Sequence, residues 1–180
     1  MLTPHFLGLD LGGTRLAASF DCVSIYARQR DPVIDHWLFH GRSRFGSQVL
    51  LRRDESVRAS IKAMKEMRPF YYLPDMDNGM EDSIFSPFFG VQAATLSALP
   101  RLTRLGGAVV VTCVTRMLPG GQGYVLTLSE PWTDFPSGNV EADVHRMNAA
   151  IEDLVRTMPA QYYWVHRRFK TRPPGEPKVY

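Results

Sequence analysis

Apolar residues along the chain form two kinds of pattern, one typical of strands and one typical of helices. Short apolar or alternating runs bounded by proline, glycine or polar residues predict β-strands. Four segments fit this description: CVSIYA, PFYYLP, the continuously apolar AVVVTCVTR and the alternating GYVLTLSE. A continuous apolar run indicates a strand that is buried on both faces. The turn LPGGQG joins the last two segments and indicates an antiparallel hairpin.

Apolar residues spaced three or four apart predict the helices between those strands. We expect helices over residues 11–20, over PVIDHWLFHGRSRF from Pro32, over ESVRASIKAMKEM and over residues 140–158. The apolar stripe of the last helix consists of Val144, Met147, Ile151, Leu154 and Met158. Strands alternating with helices predict an α/β fold with a mixed, largely parallel sheet flanked by helices.

One further segment, AATLSALPRLTRLGGA, also has a helical pattern and ends at the pair Gly106–Gly107. Pro100 lies inside it, and a proline in a helix interior costs about 3 kcal/mol. We therefore expect a kink or a break in this helix at Pro100.

The composition is that of one soluble globular domain. The chain has 180 residues, of which 44% are hydrophobic and 22% charged, which argues against a disordered chain. No apolar run reaches the roughly 18–20 residues that a membrane-spanning helix needs. The two cysteines, Cys22 and Cys113, have no metal-like spacing and are interpreted as core residues in a reducing compartment. Lysine and arginine outnumber the acids by 21 to 18, and the excess is concentrated in HRRFKTRPPGEPK.

The segment HFLGLD near the start of the chain contains a histidine and an aspartate five positions apart, His5 and Asp10. On one continuous helix they would be separated by about 140° around the axis and would face different sides. They meet only if His5 lies on a loop and Asp10 in the first turn of a helix, and Pro4 favours such a break. Asp10 would then accept a hydrogen bond from one ring nitrogen of His5 and leave the other as a base. The alternative is a helix-capping Asp10 and a His5 that is only a turn residue.

Four segments together resemble the lipid A late acyltransferases, the lauroyl/myristoyl transferases of Gram-negative bacteria in the lysophospholipid acyltransferase superfamily. The segments are TPHFLGLDLGGTRLA, YLPDMDNGMEDSIFSPFFGVQAAT, RLGGAVVVTCVTRMLPGGQGYVLTL and RMNAAIEDLVRTMPAQYYWVHRRFKTRP. The resemblance covers nearly the whole chain and implies a glycerolipid acyltransferase-like fold. Family members carry an additional N-terminal part with a membrane-anchoring helix, so the chain is expected to be a truncated form of such an enzyme.

The resemblance implies that a fatty acyl chain moves from acyl carrier protein to a hydroxyl of a Kdo-containing lipid A precursor. His5 would be the general base of the HX4D motif, and Asp10 would orient it. The attack on the thioester is direct, so no cofactor, metal or nucleophilic cysteine is required.

The same resemblance implies several residues that bind the substrate. The candidates are Arg42, Arg44, Asp75, Asp77 and Arg116. Arginines suit the phosphates of the acceptor because a planar guanidinium can bind phosphate through two hydrogen bonds. Asp75 and Asp77 follow a predicted strand directly, where ligand-facing residues of α/β sheets collect. One of them is expected to order the loop and contact an arginine, while a metal site is the less favoured interpretation.

Partners and location also follow from the resemblance. The expected partners are the acyl carrier protein donor, the lipid A precursor and an anionic membrane surface, with no nucleic acid. The expected location is the cytoplasmic face of the inner membrane, bound peripherally. Residues 1–172 are predicted to form one domain and residues 173–180 an extended tail, and Glu152 and His166 are interpreted as structural.

Two alternatives to an active acyltransferase stay open on the sequence. One is an inactive fragment that keeps the fold and only binds lipid or a partner. The other is a metal-dependent glycosyltransferase that uses Asp75 and Asp77.

Overall fold

The structure of the chain, a computed structural model, describes residues 1–52 and 56–180. Within these residues there are five α-helices, seven β-strands and two short 3₁₀ helices. The α-helices are α1 (Leu9–Ala17), α2 (Pro32–Ser43), α3 (Ser56–Lys65), α4 (Ala98–Gly106) and α5 (Val140–Thr157). The strands are β1 (Val23–Tyr26), β2 (Val49–Arg52), β3 (Phe70–Tyr71), β4 (Ser83–Phe88), β5 (Val91–Leu96), β6 (Cys113–Met117) and β7 (Tyr124–Leu128). The 3₁₀ helices are Pro119–Gly121 and Pro159–Gln161.

Three strands form a parallel sheet in the order β2–β1–β3. The first residues of the chain extend it, because Leu2 makes parallel bridges to Tyr72 on one side and to Thr112 on the other. The backbone N–H of Cys113 donates to the carbonyl oxygen of Leu2 at 2.9 Å, which connects β6 to this sheet. β6 then pairs antiparallel with β7. The predicted α/β fold with a mixed, largely parallel sheet is confirmed.

Local sequence signals account for where several elements begin. α2 starts at Pro32, as predicted, and the side chain of Asp31 caps it by accepting hydrogen bonds from two backbone N–H groups of its first turn. α5 spans Val140–Thr157, in agreement with the prediction, and Asn139 accepts a hydrogen bond from the backbone N–H of Ala142. α1 begins at Leu9, two residues before the predicted start.

The prediction of a kinked helix around Pro100 is wrong for the first part of that segment. Val91–Leu96 is strand β5, which pairs antiparallel with β4, a strand that the sequence pattern did not reveal. Helix α4 begins only at Ala98, so Pro100 lies in its first turn. The backbone N–H groups of a first turn have no partner within the helix, and a proline is therefore tolerated there. The helix ends at Gly106, and its C-cap residue Gly107 has a left-handed φ of 61°.

The core lies between the parallel sheet, the β4–β5 hairpin and α5. The stripe of α5 is confirmed, since Val144, Met147 and Ile151 are completely buried. Burying each such side chain stabilises the fold by roughly 1.5–3 kcal/mol. Both cysteines are free and buried, as expected of core residues.

Helix α2 contributes no buried residue to this core. Its residues Val33 and Trp37 are each 75% exposed. No helix in the ranges 1–52 and 56–180 combines the length and the hydropathy that crossing a membrane requires.

Candidate active site

His5 and Asp75 form a polar pair that is joined by two hydrogen bonds. The backbone N–H of His5 donates to Oδ2 of Asp75 at 2.8 Å, and Nδ1 of the His5 ring lies 2.7 Å from Oδ1. Asp75 follows β3, and the start of the chain runs beside the end of that strand, where the N–H of Thr3 donates to the carbonyl oxygen of Tyr72. The parallel alignment of these two segments therefore brings together residues that are 70 positions apart.

The segment after the second 3₁₀ helix completes this arrangement. The hydroxyl of Tyr162 donates to Oδ2 of Asp75 at 3.0 Å, and the backbone N–H of Tyr163 donates to the carbonyl oxygen of His5 at 2.9 Å. The Tyr162 ring also packs edge-to-face on Phe6. The backbone of His5 and the carboxylate of Asp75 are thus held from both sides.

Asp75 is buried but charged. Burial alone raises the pKa of a carboxyl group, but the hydrogen bonds and charge of His5, together with the Tyr162 hydroxyl, bring the pKa of Asp75 below its ordinary value. Burial, and then the neighbouring carboxylate, raise the pKa of the Tyr162 hydroxyl, which therefore keeps its proton and remains a donor.

This charge state determines the tautomer of His5. An ionised carboxylate only accepts hydrogen bonds, so Nδ1 of His5 must carry the hydrogen that points to Asp75. When the ring is neutral, the remaining nitrogen, Nε2, has a lone pair, and the His5 side chain is 19% exposed. A histidine with one nitrogen held by a carboxylate and the other available is suited to accept a proton from a bound hydroxyl.

Asp10 does not contact His5 in the way that the spacing of the motif suggested. It lies in the first turn of α1, as predicted, but its Oδ1 accepts from Nε of Arg42 at 3.0 Å and is 2.8 Å from Nη2 of the same side chain. The expected hydrogen bond between His5 and Asp10 is therefore wrong, because Asp75 takes the ring nitrogen and Arg42 on α2 takes Asp10. A catalytic role of Asp10 stays a prediction.

The arginines that were predicted to bind substrate either contact other residues or are exposed. Arg42 is held by Asp10. Arg44 lies just after α2, where Nη1 donates to the carbonyl oxygen of Gly41 at 2.5 Å and the guanidinium lies 4.8 Å from the centre of the Phe45 ring. Arg116 is exposed on β6.

Asp77 orders the loop that follows Asp75, as one of the two aspartates was expected to do. Its carboxylate accepts from the N–H of Gly79 at 3.0 Å and from the N–H and hydroxyl of Thr171 at 2.6 and 2.8 Å. These partners differ from the arginine that was expected. Across the described ranges, no group of three or more His, Cys, Asp or Glu side chains is arranged to hold a metal ion.

A buried arginine beside the site was missed by the sequence analysis. Arg168 is 1% exposed, donates to the carbonyl oxygen of Ala94 at 2.6 Å and to Oγ1 of Thr95 at 2.7 Å, and lies over the Phe88 ring. The amide of Asn148 on α5 binds the same Thr95 hydroxyl at 3.2 Å. The basic cluster in HRRFKTR is therefore not one solvated face, because one of its arginines is a core residue.

His166 also lies at the site, although the sequence did not indicate this position. Its ring lies 5.8 Å from the His5 ring, centre to centre, in an edge-to-face arrangement with an interplanar angle of 77°. His166 lies close in sequence to Tyr162 and Tyr163, which contact Asp75 and His5. That proximity could have indicated the position of His166, but sequence spacing does not reveal those contacts.

Comparison with known proteins places the chain in a family. The model of the family described as "Bacterial lipid A biosynthesis acyltransferase" matches residues 1–171. The chain belongs to the bacterial lipid A biosynthesis acyltransferase family. The match confirms the resemblance inferred from the four sequence segments. It assigns the chain to an acyltransferase family, in contrast to the glycosyltransferase alternative.

Three curated relatives illustrate the match. The chain is 38% identical to the lipid A biosynthesis lauroyltransferase of Escherichia coli (strain K12) and 32% identical to the palmitoleoyltransferase of the same organism, each over 98% of the chain and 57% of the relative. It is 31% identical to a lipid A biosynthesis acyltransferase of Haemophilus influenzae, over 94% of the chain and 54% of that protein. The chain thus spans somewhat more than half the length of these lipid A acyltransferases.

Proposed function

We propose that the protein is an acyltransferase that moves a fatty acyl chain from acyl carrier protein to a hydroxyl of a Kdo-containing lipid A precursor. Membership of the lipid A acyltransferase family supports the reaction class. The observation that carries the chemistry is the pair formed by His5 and the buried Asp75, which leaves Nε2 of His5 available as a base.

The mechanism needs one general base, which accepts a proton from the acceptor hydroxyl and later donates it to the leaving group. Nε2 of His5 takes the proton of the acceptor hydroxyl while the hydroxyl oxygen attacks the thioester carbonyl carbon. The tetrahedral intermediate collapses, the carbon–sulfur bond breaks, and the departing thiolate takes the proton from the His5 imidazolium. Asp75 remains ionised throughout and stabilises the imidazolium. No acyl-enzyme and no cofactor enter this scheme.

Asp75 therefore takes the orienting role that the motif had suggested for Asp10. Asp10 and Arg42 form an ion pair between α1 and α2, in which the Asp10 side chain is 69% exposed and the Arg42 side chain 39% exposed. This exposure supports a role in which Arg42, with Arg44 and Arg116, contacts phosphates of the acceptor. The oxygens of Asp75 and Asp77 have protein donors, which supports orienting roles for both.

The location proposed for the protein is the cytoplasmic face of the inner membrane, where an acyl carrier protein donor and a lipid acceptor can both reach it. The exposed apolar residues of α2, including Trp37, and the nearby arginines are the features that support contact with an anionic membrane surface.

A second candidate is a catalytically inactive form that keeps the fold and only binds lipid or a partner. The observation that favours it is that Asp10 of the motif pairs with Arg42 and not with His5, so the contact that the motif implies is not formed.

The deciding experiment is acyl transfer in detergent micelles, from a mixture of acyl carrier protein thioesters to a Kdo-bearing lipid A precursor, followed by mass spectrometry. A mass gain of one acyl chain that His5→Ala abolishes would support the proposal. His145→Ala is the matched control, because His145 is an exposed histidine on α5. Absence of transfer by the folded protein would favour the inactive candidate, and transfer that survives His5→Ala would contradict the role of His5.

A further inference from the structure

The ring of His166 lies against His5, although the sequence indicated only a structural role for His166. The His5 and His166 rings are edge-to-face with their centres 5.8 Å apart, and the centre of the Tyr163 ring lies 6.4 Å from that of His166. Both ring nitrogens of His166 are buried, and neither has a hydrogen-bond partner among the residues that the structure describes.

Such a residue is unusual in a folded protein. Buried polar atoms are nearly always paired, because an unpaired one has lost its hydrogen bonds to water without replacement. A phenylalanine would fill the same space without that loss. Packing alone therefore does not explain why an imidazole, with its two unpaired nitrogens, occupies position 166.

We propose that His166 is a positioning residue for His5, whose neutral imidazole stabilises the proton that His5 takes from the acceptor hydroxyl. The inference rests on the proposed acyl transfer, since it concerns the imidazolium of that reaction. The unpaired nitrogen of a neutral imidazole attracts a neighbouring positive charge, and this attraction arises only once His5 is protonated. An interaction made in the transition state and absent from the resting state raises the rate of the chemical step.

The surroundings of His166 support a neutral ring. Burial is the main cause that lowers its pKa, and the charges of His5 and Arg168 lower it further, while Asp75 and Asp77 act in the opposite direction. His5 in turn faces Asp75 and His166, and the Tyr162 hydroxyl faces the same carboxylate. A neutral His166 can thus lie beside a protonated His5 without charge repulsion.

The test compares His166→Phe with wild type by two readouts. NMR follows the protonation of the His5 ring against pH, and steady-state kinetics give kcat and KM for acyl transfer. We expect the midpoint of His5 protonation to move down by about 0.5–1 pH unit and kcat to fall about tenfold, with KM unchanged. A purely structural role of His166 would lower the melting temperature and leave the midpoint where it is. His145→Phe is the matched control, since it replaces an exposed histidine.

Two further variants identify the nitrogen and cover a loss of folding in His166→Phe. His166→Asn and His166→Gln place an amide oxygen near the positions of Nδ1 and Nε2, and we expect one of them to restore the midpoint. If His166→Phe, Asn and Gln all titrate and react as wild type, the inference is wrong. A wild type that transfers no acyl chain would contradict the proposed function alone, because the NMR titration still decides whether His166 acts on His5.

Discussion

The carboxylate of Asp75 binds His5 twice, through the backbone N–H at 2.8 Å and through the ring nitrogen Nδ1 at 2.7 Å. One aspartate therefore determines both where the histidine lies and which way its ring is turned. This double contact makes the Asp75 side chain the first one to test.

Replacing Asp75 with asparagine should lower kcat by about 10²–10⁴-fold. An amide at this position can still accept from the backbone N–H of His5, but it no longer carries the charge that stabilises the His5 imidazolium. Acyl transfer measured under single-turnover conditions checks the effect. Asp77→Asn removes a carboxylate from the same loop and should lower stability rather than the rate of the folded protein. Equal losses of rate in both variants would count against a special role of Asp75.

Replacing either of two adjacent glycines in α1 with alanine should change the stability of the protein, but in opposite directions. A Cβ at Gly12 would lie 2.0 Å from Oγ1 of Thr115 on β6, whereas a Cβ at Gly13 meets nothing nearer than a Tyr71 ring atom at 3.9 Å. Gly12→Ala should destabilise the protein by about 1–3 kcal/mol through overpacking. Gly13→Ala should stabilise it by about 0.5–1 kcal/mol, because alanine loses less backbone entropy in a helix. Urea denaturation of the two variants checks both signs, and a stable Gly12→Ala would show that α1 can move away from β6.

Removing the buried guanidinium of Arg168 should destabilise the protein strongly. In Arg168→Met, the carbonyl oxygen of Ala94 loses its guanidinium donor and the hydroxyl of Thr95 keeps only the amide of Asn148, and we expect a loss of about 3 kcal/mol or more in unfolding free energy. Arg167→Met, which changes the exposed neighbour, should stay within about 0.5 kcal/mol of wild type. Thermal denaturation followed by circular dichroism distinguishes them, and similar melting temperatures would contradict the buried position of Arg168.

The pH dependence of stability should change in His166→Phe. Because the pKa of His166 is lowered from 6.5 in the folded protein, mainly by burial, the unfolded chain binds this proton first as the pH falls. Linkage then requires that wild type loses stability as the pH drops below about 6.5, down to the folded pKa of His166. The variant lacks this group, so its unfolding free energy should fall less between pH 7.5 and 5.5. Parallel stability curves for the two proteins would mean that His166 titrates normally when folded.

Local patterns in the sequence were sufficient for several elements of the fold. The apolar stripe of α5 repeats every three or four positions and Pro32 opens α2 locally, so the sequence pattern alone predicts both. The first part of the Pro100 segment was misjudged because an apolar run such as AATL fits a helix or a strand. Its pairing with β4 decides between the two.

Sequence patterns are enough to establish the class of fold, the helical periodicity and the motifs that indicate the family. The packed structure is needed to show that His5 binds Asp75, that Asp10 binds Arg42 and that Arg168 is buried next to His166. A spacing pattern reports which side of a helix or strand a residue occupies. A hydrogen bond requires two atoms about 3 Å apart, and for His5 the partner lies on a segment 70 positions away that only the parallel sheet brings alongside.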